Sequence, residues 1–358
     1  MQLSSLLTEL LEICIADGFS DVHLTTGIQP LGRLHGKLQP LSDKLWGQHD
    51  LDNIVTDCLT EDEISEMKVR FSVDSSASLR RHRFRFNIYK ERNGYAVAIR
   101  RLESLNRTID ELGLPEHVYE LTKFHSGLIL FTGPTGSGKS TSMAALIDEI
   151  NRMKAYHIIT VEDPIEYLHE NKKSLIHQRE LGVDVVDFSS SLREALREDP
   201  DVILVGEMRD LATMRAAVTA AETGHLVIST LHCADTVGAL DRILGMYPAD
   251  EQDSLRRQLS MVLKAVVTQT LLPTLDEDGR CVIIEMLVNS APVRNLIRNG
   301  QFRQIYSLLE IGSEPGMISM DSHLAGRVHA RKISLEVALP YVRNPQLFRD
   351  KMKYLAGK

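Results

Sequence analysis

The spacing of apolar residues along the chain changes character twice. In MQLSSLLTELLEICIADG, apolar residues fall at Leu3, Leu6, Leu7, Leu10 and Cys14, the three- and four-residue spacing of an amphipathic helix. Asp21–Thr25 and Pro30–Leu34 then read as short strands, and Leu51–Val69 as one helical stretch. RHRFRFNIYKER and YAVAIRR follow, separated by Asn93-Gly94, the strongest short hairpin signal a sequence offers. Within the first of these strands Phe84, Phe86 and Ile88 point one way, and Arg83, Arg85 and Asn87 the other. With Asn93-Gly94 as a two-residue turn, Asn87 faces Arg100, and Arg85 lies diagonal to it on the polar face. Residues 102–117, LESLNRTIDELGLPEH, are polar, with Gly113 and Pro115 near the end, and read as a linker. The division expected is an α+β domain over 1–101 and a second domain over 118–358.

From residue 126 the pattern becomes an alternation of strands and helices. Leu128–Thr132, Ile158–Val161, Val202–Val205 and Leu226–Thr230 are short apolar strands. Between them lie helices at Thr141–Met153, at Leu192–Arg197 with Ser191 and Glu194 as a capping box, and at Leu211–Glu222 closed by Gly224. Such alternation predicts a mostly parallel sheet with helices on its faces, and a ligand crevice outside the carboxyl ends of the strands. Beyond about Asp235 the chain reads as mostly helical, with a second hairpin at Asp278-Gly279 and a helical appendage over 291–358. Pro292 suits the first turn of a helix there.

Composition narrows the class. At 358 residues there is room for two cores, and no run of eighteen apolar residues could span a bilayer. The first helix carries acids where a signal peptide would carry positive charge, so a cytoplasmic location is expected. A net charge of −8 argues against a surface given over to nucleic acid or anionic lipid. The cysteines, at 14, 58, 233 and 281, form no C-x-x-C pair, so neither a zinc site nor a disulfide framework is expected.

The chemistry begins after the first of the alternating strands. GPTGSGKS, Gly133 to Ser140, fits G-x-x-x-x-G-K-[ST] completely and sits between a strand and an amphipathic helix. The glycines let successive backbone N–H groups curl around phosphate oxygens, and the helix adds its positive end. Gly133, Pro134, Thr135, Gly136, Ser137, Gly138, Lys139, Ser140 and Thr141 are the expected cradle. Lys139 reaches the β- and γ-phosphates, and the Ser140 hydroxyl ligates Mg²⁺. With no N-K-x-D-like guanine reader downstream, ATP is the expected nucleotide. Such a site also needs acids for the metal shell and the attacking water. Glu162, Asp163 and Glu166 follow one strand, Gly206-Glu207 another, and His225 and His232 bracket a third. Glu207 could instead pair with Arg209, and a histidine at a strand end is often structural. The arginine face of the hairpin could simply be solvated.

GPTGSGKS, VEDPIE, LREDPDVILVGEMRD and TAAETGHLVISTLH, in that order, resemble the Walker A, Asp box, Walker B and His box of the secretion ATPase superfamily. RFRFNIYKERNG and VRNLIRNGQFRQIYSLLEIGSEPGMISMD extend the likeness over most of the chain, toward the PilT-like type IV pilus retraction branch. That resemblance implies an N-terminal PAS-like domain followed by a RecA-like ATPase domain. It implies Glu207 as the catalytic carboxylate and Glu162, with Asp163 nearby, on the metal side, because Gly206 stands where an aspartate is usual. His232 is then the γ-phosphate sensor and His225 its companion. Arg85, Arg92 and Arg100 match arginines that approach the nucleotide of a neighbouring subunit. A homohexamer working on an inner-membrane pilus platform protein, with a paralogous retraction ATPase as a further partner, is implied as well. Extension and type II secretion ATPases usually add an N-terminal domain and a four-cysteine zinc module, which this sequence lacks. Pro292 departs from the aliphatic residue usual after Ala291, which leaves an accessory, PilU-like role open.

Overall fold

A computed structural model describes residues 3–34, 37–80, 82–102, 107–276, 279–312 and 314–357. Two compact units divide the chain: residues 1–104 with Glu166–Leu168, and 105–165 with 169–358.

The first unit opens with α1 (Ser5–Ala16), β1 (Asp21–Thr25), β2 (Leu31–Leu34) and β3 (Lys37–Pro40). It continues with α2 (Gln48–Cys58), α3 (Glu61–Arg70), β4 (Ser72–Leu79), β5 (His82–Glu91) and β6 (Gly94–Leu102). The strands form one antiparallel sheet in the order β3-β2-β1-β6-β5-β4. The alternation in β5 does what the sequence implies: Phe84, Phe86 and Ile88 are completely buried, in one core with Leu7, Leu11 and Trp46.

Two expectations change here. The helical stretch 51–69 is two helices, because Thr60 caps α3 and the Glu63 carboxylate accepts from the Thr60 N–H at 2.7 Å. The hairpin turn is Arg92-Asn93, not Asn93-Gly94, since Glu91 pairs with Gly94. Gly94 begins β6 at φ +131°, where a Cβ would meet Gln48 Oε1 at 2.0 Å. Its lack of a side chain serves that positive φ at the head of the strand rather than the turn, since the Gln48 amide is the end of a flexible side chain that can move aside. The register shift puts Arg85 directly opposite Arg100, and Asn87 opposite Ala98.

The second unit contains β7 (Gly127–Thr132), α4 (Lys139–Met153), β8 (His157–Glu162), β9 (Leu175–Glu180) and α5 (Phe188–Ala195). Next come β10 (Val202–Val205), α6 (Leu211–Glu222), β11 (Leu226–Leu231), α7 (Thr236–Gly245) and α8 (Gln252–Val262). A hairpin of β12 (Leu263–Pro273) and β13 (Arg280–Val288) leads into α9 (Ala291–Arg298) and α10 (Ile305–Ile311). The chain ends with α11 (Met320–His329), α12 (Leu335–Ala338) and α13 (Pro345–Ala356). The sheet order is β13-β12-β7-β11-β10-β8-β9, parallel except for β13. The expected α/β architecture is therefore present. Every residue of β7, β10 and β11 is buried, as continuous apolar runs between two helix layers require.

Three local readings are corrected. The region after Asp235 is mostly helical with one hairpin, as read, but the hairpin's first strand starts as early as Leu263, because LKAVVTQTLLP is a near-continuous apolar run that fits beside β7. Asp278 of the expected turn lies outside the described residues, although the hairpin itself is there. α5 is capped by Asp187, whose side chain accepts from the Ser190 N–H, while Ser191 lies inside the helix. The supposed linker also contributes to a core: Ile109 and Leu114 are buried with Phe131, Ile150 and Ile284. Its residues 103–106 lie outside the described part. At the far end Pro292 occupies the first turn of α9, as expected. Among the described residues no helix is long and apolar enough to cross a membrane.

Two histidines of this unit give its stability a pH dependence. Burial, reinforced by the Arg327 charge, pushes His323 down to about 3, and burial pushes His169 down to about 4. Both are neutral when folded, whereas an unfolded histidine protonates near 6.5. The folded state therefore binds fewer protons, and stability should fall as pH drops through 6.5 toward 4. Melting temperatures across that window should decline, and less steeply in His323→Gln.

Candidate nucleotide site

The carboxyl ends of β7, β8, β10 and β11 meet at one edge of the sheet, and each delivers a candidate residue there. From β7 the chain turns into the phosphate loop through Gly133 at φ +142°, where a Cβ would meet Gln269 O at 2.2 Å. Only glycine fits that approach. Gly138, at φ +84°, then caps α4, whose first residue is Lys139. The Lys139 ammonium donates to Gly133 O at 2.8 Å and Pro134 O at 2.9 Å, which curls the side chain over its own loop. Ser140 and Thr141 follow in the first turn of α4, whose N–H groups have no partner within the helix.

A residue the sequence reading missed holds this loop from below. Gln269 of β12 is buried; its amide N–H donates to Ser137 O at 2.7 Å and its carbonyl accepts from Ser142 Oγ at 2.8 Å. One side chain thus ties the loop and the start of α4 to the neighbouring strand. The signal was the polar trio Thr268, Gln269 and Thr270 interrupting the apolar run of β12.

β8 ends at Glu162, whose Oε1 accepts from Thr160 Oγ1 at 2.6 Å and from Gln178 Nε2 at 3.2 Å. Those bonds fix the carboxylate at the strand end, and Asp163 follows it, exposed. Val161 and Val205 are in register, so Gly206 stands level with Glu162. Glu207 is next, buried at 9% exposure although it lies beyond the strand. Its two oxygens have different partners. Arg209 Nε pairs with Oε1, and His232 Nε2 lies 3.3 Å from Oε2. The alternative pairing with Arg209 is real, yet the arginine side chain is 68% exposed and the carboxylate 11%. Glu207 is therefore held inward, and Arg209 closes over it from solvent.

The two histidines part company. β7 and β11 run in register from Gly127↔Leu226 to Thr132↔Leu231, so His232 is level with the start of the phosphate loop. Pro134 and Thr135 share with Arg209, His232, Cys233 and Ala234 an open cleft of about 560 Å³. His225 precedes β11 and lies at the opposite end, roughly 20 Å along the strand at ~3.3 Å per residue. Its Nδ1 lies 3.1 Å from Ala220 O and 3.2 Å from Thr223 Oγ1, a local closure of α6. The expectation that His225 accompanies His232 at the nucleotide is corrected: the strand carries them to opposite edges of the sheet. His225→Ala should leave ATP turnover within about twofold of wild type in a steady-state assay.

Of the arginines, Arg85 and Arg100 share the polar face of the hairpin, and Arg92 is exposed in its turn. Arg85 pairs with Asp74 at 3.5 Å, and Arg100 Nε donates to Asp21 Oδ1 at 2.8 Å.

The chain as a whole has known counterparts. A family model described as "Type II/IV secretion system protein" matches residues 59–305. The chain belongs to that family. It is 40% identical over 348 residues to the type IV pilus retraction ATPase PilT of Pseudomonas aeruginosa, covering 96% of this chain and 99% of that protein. The type IV pilus ATPase PilU of the same organism is 36% identical over 334 residues, covering 93% and 87%. A crystal structure of the pilus retraction motor PilT with bound ADP superposes with a TM-score of 0.89 at 40% identity, over 98% of this chain and all of that one. As a member of this family with a complete phosphate loop, the chain is a nucleotide-binding ATPase.

Proposed function

We propose that the chain is a homohexameric motor whose ATP hydrolysis drives retraction of a type IV pilus from the cytoplasmic side of the inner membrane. A membrane-embedded platform protein receives its motion, and a paralogous retraction ATPase works beside it. The observation that carries this reading is the meeting of the phosphate loop with Glu162, Glu207 and His232 at one sheet edge, in a chain alike along its whole length to a retraction ATPase. In it Glu207 orients the attacking water, His232 faces the γ-phosphate, and arginines of the first unit serve a neighbouring copy. Ser140 and Glu162 offer a hydroxyl and a carboxylate, hard oxygen donors that suit Mg²⁺. No group of three or more His, Cys, Asp and Glu side chains among the described residues could hold a metal ion alone. Mg²⁺ commonly binds through one or two protein oxygens together with nucleotide phosphates, and this donor set fits that habit.

A deletion strain tests the biological half: excess surface pili and lost twitching support retraction, and a strain without pili would mark an extension motor instead. Lys139→Ala tests the nucleotide half. Its ammonium is an ionised donor, and such bonds to phosphate contribute about 1.5–3 kcal/mol. ATP affinity should fall about ten- to a hundredfold, with turnover falling as well. Unchanged affinity in a titration would remove the lysine from the phosphates.

A further inference from the structure

The loop between β11 and α7, His232 to Asp235, and the first residue of α7 are held by side chains from later in the chain. Arg343, between α12 and α13, extends both arms of its guanidinium to it. Nη1 donates to Glu285 Oε2 at 2.7 Å, and Nη2 donates to Ala234 O at 3.1 Å. Glu285 of β13, 2% exposed, turns its other oxygen to the same loop: Oε1 accepts from Thr236 N at 3.1 Å and Thr236 Oγ1 at 2.8 Å. The residue between them is held too, because the Tyr306 hydroxyl donates to Asp235 Oδ1 at 2.7 Å. Three consecutive residues, 234 to 236, are thus bonded to β13, α10 and the segment before α13.

The arginine is itself seated. Asp321 of α11 accepts the backbone N–H groups of Arg343 at 2.8 Å and Asn344 at 2.9 Å, and the guanidinium lies 5.9 Å from the centre of the Tyr306 ring. A stabilising ion pair is the plain reading of Arg343 and Glu285. Only its carboxylate is buried, however, and with the arginine side chain 33% exposed such a pair contributes little net stability, which leaves the geometry it imposes as the more telling feature. A fork with one arm on a carboxylate and the other on a loop carbonyl specifies geometry well, because the plane of the guanidinium is fixed. Ala234 lines the same cleft as His232 and Thr135.

We propose that Arg343 is a positioning residue for ATP hydrolysis: through Ala234 and Glu285 it sets the loop that holds His232 over the phosphate loop. The C-terminal helices thereby act on the site, and a displacement of α13 is felt at the histidine. This rests on the reading of His232 as the residue facing the γ-phosphate.

Steady-state kinetics of the full chain, with melting temperatures, test it in a double-mutant cycle of Arg343→Lys and His232→Ala. A lysine keeps the charge but lacks the planar fork that gives each acceptor its own nitrogen. Arg343→Lys should therefore lower kcat about tenfold or more and leave KM for ATP within twofold. In the His232→Ala background the same change should alter kcat by less than twofold, since the group it positions is gone. Full kcat in Arg343→Lys, or the same tenfold loss in both backgrounds, overturns the proposal. Should Arg343→Lys fail to fold, Tyr306→Phe removes one hydroxyl from the same loop; it should cost threefold or more in the wild-type background and nothing in the other. An unaltered kcat there also overturns the proposal. His232→Ala at full activity would refute the reading of the histidine and the inference with it. An impaired His232→Ala beside an unimpaired Arg343→Lys refutes the inference alone.

Discussion

Glu207→Gln should bind ATP as the wild type does and hydrolyse it on the order of 10²-fold more slowly or worse. The substitution keeps shape and removes charge, so little else changes. His232 retains an acceptor at the position 3.3 Å away, and Arg209, exposed on its other side, is left in water rather than buried without a partner. The phosphate loop is built by Gly133, Gly138 and Gln269, none of which contacts Glu207 by hydrogen bond, so nucleotide affinity has no reason to fall. Affinity by titration and turnover by phosphate release separate the two effects. Turnover within a few-fold of wild type would leave the carboxylate as the partner of Arg209 and nothing more.

Arg100→Ala or Arg85→Ala, whichever removes the guanidinium that acts as a finger on the transferred phosphoryl group, should lose about 10³ in turnover. Their placement argues against a merely tolerated position. Directly opposed like charges destabilise an antiparallel pair, and β5 and β6 set these two face to face. Each is offset by one acid. Asp21 is the clearer case: burial would raise its carboxyl, yet the Arg100 hydrogen bond and charge hold it below the usual carboxylate range. Arg100 is 70% exposed and Arg85 40%, and ion pairs at such sites contribute little to stability. Both variants should therefore melt near the wild-type temperature, so a loss of turnover reports the arginine and not the fold. Full activity in both would leave this face solvated.

How much of this could be read from the chain depended on how local the signal was. β7, β10 and β11 were legible because strands buried on both faces are mostly apolar, and their ends located the loop, Glu207 and His232. The arginine face followed from strict alternation in β5. β4, SVDSSASL, carried no such signal: it is an edge strand whose small residues Ser75 and Ala77 are buried beside a longer partner. The hairpin turn was misplaced by one residue because Gly94 serves a positive φ at the head of β6 and lies outside the turn. His225 was misplaced because proximity in sequence to a strand does not say which end of the sheet a residue reaches. Gln269, Gln178 and Arg343 act through partners 16 to 132 residues distant, and no local pattern announces such a bond.

The central claim is that one copy supplies the phosphate loop with Glu207 and another supplies the arginine. Mixing Arg100→Ala with Glu207→Gln tests it most directly, because each protein alone should be inactive for a different reason. In mixed assemblies whose subunits exchange, some interfaces would join an intact glutamate to an intact arginine from a neighbouring copy. ATP turnover should then rise on mixing, to a maximum near equal proportions, while unmixed samples stay flat. Arg85→Ala and Arg100→Ala proteins that both hydrolyse ATP fully on their own, or a wild-type chain held as a stable monomer that does so, would contradict the claim.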